Sequence, residues 1–198
     1  MSPRTKEQYD DIRESKKKLI LDSALDLFAN QGFHATSISS IAKKAKISKG
    51  LLYNYFESKE KLLMEIMNSG IQEFIDYFDT NEDGILSDSE FKYFIEMSLL
   101  TLKSRTNYWK LYFALALQPT VFSILKKKYR KLIESTLAIM EEYFKNKGYK
   151  NPKMQALMFG AFMDGISLNY VMDPENFQLE EIKDYVIKSY LNLNDDEN

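Results

Sequence analysis

Apolar residues recur along this chain at spacings of three and four, the period of a helix with one buried face. Ile20, Ala24, Leu27 and Phe28 form the first stripe, and Gly32 supplies its stop. The polar, mixed-charge residues 1–15 ahead of it are expected to be frayed or loosely helical. A short second helix follows Thr36 or Ser37, with Ile38, Ile41, Ala42 and Ala45 on one face, and Lys46-Ile47 breaks it. Ser48 then reads as the N-cap of a third short helix, from Lys49 to about Tyr55, held to the core by Leu51 and Leu52. Ser58 caps a fourth, carrying Leu62, Leu63, Ile66, Ile71, Phe74, Ile75 and Phe78, in which Gly70 costs about 1 kcal/mol relative to alanine. Farther on the pattern predicts helices over about 87–104 and 106–117. A long one follows from Pro119 to about Lys147, with Leu125, Tyr129, Leu132, Thr136, Ile139 and Tyr143 as its stripe. Two more cover about 152–171 and 179–193, before an acidic tail at 194–198.

Composition narrows this to an all-α fold. With 7 Gly and 4 Pro in 198 residues there is little room for the turns of a β-sandwich, and 44% apolar residues are ample for a core. The absence of Cys excludes disulfides, iron–sulfur clusters, thiolate zinc sites and a Cys nucleophile. A single His, His34, sits between Phe33 and Ala35 and has no second His to complete a metal site, so the chain is not expected to be an enzyme. The start, Met1-Ser2-Pro3-Arg4, leads into a charged stretch without the apolar core of a signal peptide, and no apolar run approaches the roughly 18–20 residues of a membrane span. A cytoplasmic protein without a membrane partner is expected. Charge then adds a direction. Residues 1–60 hold 11 Lys and Arg against 8 Asp and Glu, a net of +3 on a chain whose total is −2. A polyanion partner would therefore meet the N-terminal third.

Three short helices in that third, the last two joined by a tight turn, have the form of a helix-turn-helix, which lays its second helix in the DNA major groove. Ser48, Lys49, Gly50, Tyr53, Asn54 and Tyr55 crowd the third helix. Lys and Tyr reach phosphates, Gly lets the backbones approach, and Asn can pair with adenine. The stretch Ile41-Ala42-Lys43-Lys44-Ala45-Lys46-Ile47-Ser48-Lys49-Gly50-Leu51-Leu52-Tyr53-Asn54-Tyr55-Phe56-Glu57-Ser58-Lys59-Glu60-Lys61-Leu62-Leu63, with Ala24, Leu27, Phe28, Gly32, Thr36 and Ile38 upstream, resembles the DNA-binding domain of TetR-type transcription regulators. The resemblance implies an all-helical homodimer acting on an operator with two half-sites, commonly as a repressor, with a C-terminal domain that binds a small effector. It assigns DNA contacts to Thr36, Ser37, Ser48, Lys49, Gly50, Tyr53, Asn54 and Tyr55, with Lys59 reaching phosphate. Lys46 departs from the family's usual Gly; if that position needs a positive φ, Lys strains it by about 1 kcal/mol. The organisation expected is a polar extension over 1–16, a DNA-binding domain over 17–60, and an effector and dimerisation domain over 61–198.

The body offers three further expectations. Tyr93, Met97, Trp109, Tyr112 and Phe113 are candidates to line a pocket for a small apolar effector, against the plain alternative that they are core. Two amphipathic helices at the chain end suit a symmetric four-helix interface, with Leu157, Ala161, Gly165, Leu168, Ile182, Tyr185 and Val186 facing the partner. Residues 79–90 resemble an EF-hand loop: Asp79, Asn81 and Asp83 at positions 1, 3 and 5, Gly84 at 6, the carbonyl of Ile85 at 7, and Glu90 at 12 would hold Ca²⁺. The alternative to a DNA-binding regulator is accordingly a calcium-binding signalling or interaction module built on that loop.

Overall fold

The computed structural model describes residues 5–81 and 83–191. Among them are ten helices and no strand, as the scarcity of Gly and Pro predicts. They are α1 (Lys6–Gln31), α2 (Ile38–Lys44), α3 (Lys49–Tyr53), α4 (Lys59–Phe78), α5 (Asp88–Ser104), α6 (Thr106–Ala116), α7 (Pro119–Lys128), α8 (Arg130–Asn146), α9 (Pro152–Met172) and α10 (Leu179–Leu191). No helix among the described residues is long and apolar enough to cross a membrane.

Two boundaries differ from expectation, each for a local reason. The segment expected to be frayed or loosely helical is a regular helix from Lys6, because Thr5 and Gln8 form a reciprocal capping box that satisfies the first free N–H groups. The expected long helix over 119–147 is interrupted at Tyr129, whose backbone sits at φ −99°, ψ 13°. There the Tyr129 hydroxyl and the Lys128 ammonium both donate to Asn68 Oδ1 on α4, tying the interruption to a neighbouring helix. The acidic tail lies outside the described residues.

Packing divides into two cores. The first gathers Ile20, Phe28, Ile41, Leu52, Leu62 and Met67 from α1–α4 and is closed by Tyr108, Leu111 and Leu115 of α6. The second joins α4, α5, α8, α9 and α10 through Phe78, Phe91, Ile95, Phe144, Phe159 and Val186, with Phe91 stacked on Tyr143 at 4.5 Å. Trp109 packs against both. The two cores share α4 and α6, so the boundary expected near residue 60 falls within the first turn of a helix that runs from one core into the other.

Candidate nucleic-acid interface

The geometry of α2 and α3 follows from caps and small residues. Ser37 accepts from the Ser40 N–H at 3.0 Å and Ser48 from the Leu51 N–H at 3.1 Å, fixing where each helix starts. Between the helices Lys46 adopts φ +53°, the only positive φ of a non-glycine residue among those described. The turn does require the left-handed region, as its resemblance to Gly-containing turns implies. Ile41, Ala42, Ala45 and Leu52 are buried beneath it, which holds α3 across the end of α2.

The outer surface of α3 is left to solvent. Ser48, Lys49, Gly50 and Asn54 are exposed, Tyr53 is 46% exposed, and nothing lies within 4 Å of a Cβ built on Gly50. Leu51 is 37% exposed, a correction to its expected place in the core; Leu52 alone anchors the helix. Lys49 Nζ lies 5.9 Å from the centre of the Tyr53 ring, so a cation and a phenol share one face. Tyr55 is half-buried under Arg13 of α1, 5.8 Å from its ring, a basic neighbour that the sequence pattern did not single out.

Two residues assigned to DNA are occupied otherwise. Thr36 is 2% exposed, and its hydroxyl donates to the carbonyls of Gly32 at 2.9 Å and Leu27 at 3.3 Å. It fastens the α1–α2 corner and shows no surface to a ligand, whereas Ser37 beside it is exposed. Lys59 does not reach outward. Its Nζ donates to the carbonyls of Phe33 at 2.7 Å and Thr36 at 3.0 Å, approaches that of His34 at 3.4 Å, and lies 4.4 Å from the Phe33 ring. An ammonium surrounded by three carbonyls is a clasp between α4 and the α1–α2 corner.

Residues 20–66, the span of these helices, match the family model described as bacterial regulatory proteins, tetR family. This segment is similar to the DNA-binding domains of that family. The chain is similar, at 53% identity over 55 residues, to the HTH-type transcriptional regulator YuxN of Bacillus subtilis, covering 28% of this chain and 19% of that protein. It is 28% identical over 121 residues to IcaR of Staphylococcus epidermidis, named a negative transcriptional regulator of a biofilm operon, covering 61% of this chain and 64% of that one. The chain thus spans less than two thirds of either relative. In fold it resembles the fatty acid degradation regulator FadR from Bacillus halodurans, with a TM-score of 0.72 and 22% identity over 92% of this chain and 97% of that one. The helical arrangement of the body thus also has a counterpart among solved structures.

In the body, the five pocket candidates stand on two helices, α5 and α6. Trp109, Tyr112 and Phe113 form a ring cluster on α6, with centroids 5.2–6.2 Å apart. Tyr93 stands on α5, 40% exposed against Tyr77, and Met97 is half-buried on the same helix. Burial raises the Tyr112 hydroxyl pKa to about 12, keeping it a neutral donor, and Trp109 Nε1 is buried without a hydrogen-bond acceptor. A cleft of about 610 Å³ lies between α1 and α6, lined by Lys18, Asp22, Asp26, Arg105, Asn107 and Tyr108 among others.

The expected partner surface is divided by the structure. On α9, Leu157, Ala161 and Leu168 are exposed and Gly165 is half-buried, with no atom within 4 Å of a Cβ built there. Of the three candidates on α10, Tyr185, 71% exposed, faces out. Val186 is fully buried and Ile182 packs on the second core, because the stripe Leu179–Ile182–Val186–Tyr190 is the one α10 needs to seat itself against α5. Met154, Met158, Phe162 and Met172 widen the α9 surface, the first three at a four-residue spacing that the sequence displays.

The 79–90 loop closes on itself. Among the described residues no group of three or more His, Cys, Asp or Glu side chains is gathered as a metal ion would require. Asp83 accepts from the Ile85 N–H at 2.8 Å and Asn81 from the Asp83 N–H at 3.1 Å. Glu90 caps α5 through Ser87, and hydrogen bonds from Ser87 hold its carboxyl below the usual range. The signalling module built on this loop has no support from the relatives, which are named as transcriptional regulators.

Proposed function

We propose that the chain is a sequence-specific DNA-binding transcription regulator, and not an enzyme, which acts as a homodimer and represses its target. The observation that carries this reading is α3: a capped helix anchored by Leu52 whose Ser48, Lys49, Gly50, Tyr53 and Asn54 all meet solvent. Lys49 and Tyr53 suit phosphate oxygens, Gly50 admits the DNA backbone, and Asn54 suits a base edge. Ser37 and Lys43 extend the contact onto α2, and Tyr55 with Arg13 borders it. Repression rests on likeness to a relative named as a negative regulator.

Dimerisation is supported by α9, which is apolar on both sides. Its inner side buries Ala156, Phe159, Met163, Ile166 and Tyr170, while Met154, Leu157, Met158, Phe162 and Met172 are 44–73% exposed. A helix apolar all round is one with a partner on each face. A two-fold pairing through α9 and Tyr185 would set two copies of α3 on two half-sites. A small apolar effector fits the α6 ring cluster, where Trp109 Nε1 lacks an acceptor that a ligand oxygen could supply. Selection from random double-stranded DNA with the full chain tests the reading. A two-fold symmetric site should emerge, bound with an affinity that falls steeply with salt. Recovery of no common sequence would refute it.

A further inference from the structure

The corner between α4 and α5 carries chemistry that DNA binding leaves unused. Helix α4 ends at Phe78 and α5 begins at Asp88, and their aromatic faces meet, Phe74 and Phe78 each lying edge-on to Phe94 at 5.2 Å. The residues between follow the twelve-position cation loop, and the structure adds to that pattern. Gly84, at position 6, has φ +74°, and its N–H donates to Asp79 Oδ2 at position 1, at 2.9 Å. Leu86, at 8, is buried in the second core, while Ile85, at 7, stands 65% exposed. The two end carboxylates turn inward. Glu90, 8% exposed, takes Oε1 to the Thr80 hydroxyl at 3.0 Å and Oε2 to the Ser87 N–H and hydroxyl at 3.0 and 2.6 Å, all neutral donors of the loop itself.

The feature that points to a ligand is Asp79 Oδ1. It is shut off from solvent and accepts no hydrogen bond, whereas Oδ2 of the same half-buried side chain accepts from Gly84. A shielded carboxylate oxygen without a donor is costly, and a cation is the partner that removes the cost. Among the described residues no ion pair to Lys, Arg or His is found at Asp79, Asp83 or Glu90; Lys147 pairs with Asp88, which lies at position 10, outside the ligand set.

We propose that residues 79–90 bind one Ca²⁺ per chain through Asp79, Asn81, Asp83, the carbonyl of Ile85 and Glu90. The carboxylates rest on amides and hydroxyls of the loop. The cation gathers them, with Glu90 exchanging Thr80 and Ser87 for a two-oxygen grip on the metal. Oxygen ligands at flexible spacing favour Ca²⁺ over Mg²⁺, which demands strict octahedral geometry. A loop without a paired second loop belongs at the weak end, with Kd on the order of 10⁻⁴ to 10⁻³ M.

The test uses the full chain, freed of metal by chelation and without DNA, so that its failure leaves the operator reading untouched. Calorimetric titration with CaCl₂ should give one site per chain, and about 5 mM CaCl₂ should raise Tm by at least about 2 °C. Glu90→Gln should weaken binding at least about tenfold. Because Glu90 also caps α5, Asp83→Asn serves as the second variant: Asp83 is exposed, is hydrogen-bonded to Asn81 and Ile85, and the variant should have lower affinity with an unchanged helical signal. No heat and no Tm shift in the wild type, wild-type affinity in both variants, or an equal response to MgCl₂ would each overturn the proposal.

Discussion

Replacing Gly70 by alanine sets two opposing effects against each other. Gly70 lies inside α4, where alanine is intrinsically better than glycine by about 1 kcal/mol. A Cβ there would stand 2.0 Å from Cζ of Tyr108, 2.2 Å from its Oη and 2.5 Å from Cε2. Real contacts of that kind are more than 1 Å longer, so the ring or a helix must move. Tyr108 has little freedom to do so: it is 5% exposed, edge-on to Trp109 at 5.7 Å and covered by the Arg105 guanidinium at 4.7 Å. Arg105 is itself paired with Glu73 of α4 and donates to Ser69, so the ring is held between two helices. Overpacking a closed site costs roughly 1–3 kcal/mol, and more when rigid groups collide. With the cost taken at the upper part of that range for a ring collision this close, and less the gain in helix propensity, Gly70→Ala should destabilise by about 1–2 kcal/mol and lower Tm by about 2–8 °C for a chain of this size. Thermal and urea unfolding followed by circular dichroism measure it. Gly50→Ala, whose Cβ meets nothing within 4 Å, should leave Tm unchanged or slightly higher. In Gly70→Ala with Tyr108→Leu, the combined loss should fall short of the sum of the single losses. A Gly70→Ala protein as stable as the wild type would refute the contact between α4 and α6.

Lys46→Gly should raise stability by about 1 kcal/mol in urea unfolding, since glycine accepts φ +53° without the strain of a side chain. Lys59→Met should lower it by about 1–3 kcal/mol in the same assay, leaving the carbonyls of Phe33 and Thr36 without their charged donor. Hydrogen bonds from Lys147, and secondarily from Tyr143, hold the Asp88 carboxyl below the usual carboxylate range. The native state therefore binds fewer protons there, and the contribution is full above the unfolded pKa of about 3.9 and fades as pH falls through the lower folded value. Urea midpoints of wild type and Lys147→Met should accordingly differ at pH 6 and converge toward pH 3. Gly165→Arg should place a charged chain in the α9 contact and yield monomers by light scattering, with much weaker operator binding.

What the sequence made legible was the part governed by local rules. Ser37, Ser48 and Ser58 cap helices where their chemistry says they should, and the three-and-four spacing of Ile41, Ala42, Ala45 and Leu52 places the buried face of the DNA-binding domain. The errors concern partners distant in sequence. Gly70 reads as a weakness in a helix until Tyr108, 38 positions later, is seen over it. Lys59 and Thr36 read as free polar groups because the carbonyls that engage them belong to a corner more than 20 residues before Lys59 and to the end of α1. Val186 and Tyr185 are adjacent and both apolar in character, and only the seating of α10 on α5 decides which is core and which is surface. The interruption at Tyr129 was hidden for the same reason, since its stripe is continuous and its contact, Asn68, lies on α4.

The most direct test of the central claim, that α3 reads DNA, is the affinity of the Lys49→Ala, Tyr53→Ala double variant for the site selected by the wild-type chain, measured across a salt series. Both side chains are exposed and carry no packing role beyond their mutual contact, so folding and dimer mass should be unchanged. The account predicts a loss of affinity at every salt concentration and a slope of log K against log salt shallower by about one to two units, counted over two half-sites. Wild-type affinity with an unchanged slope, in a variant that still folds and dimerises, would contradict it.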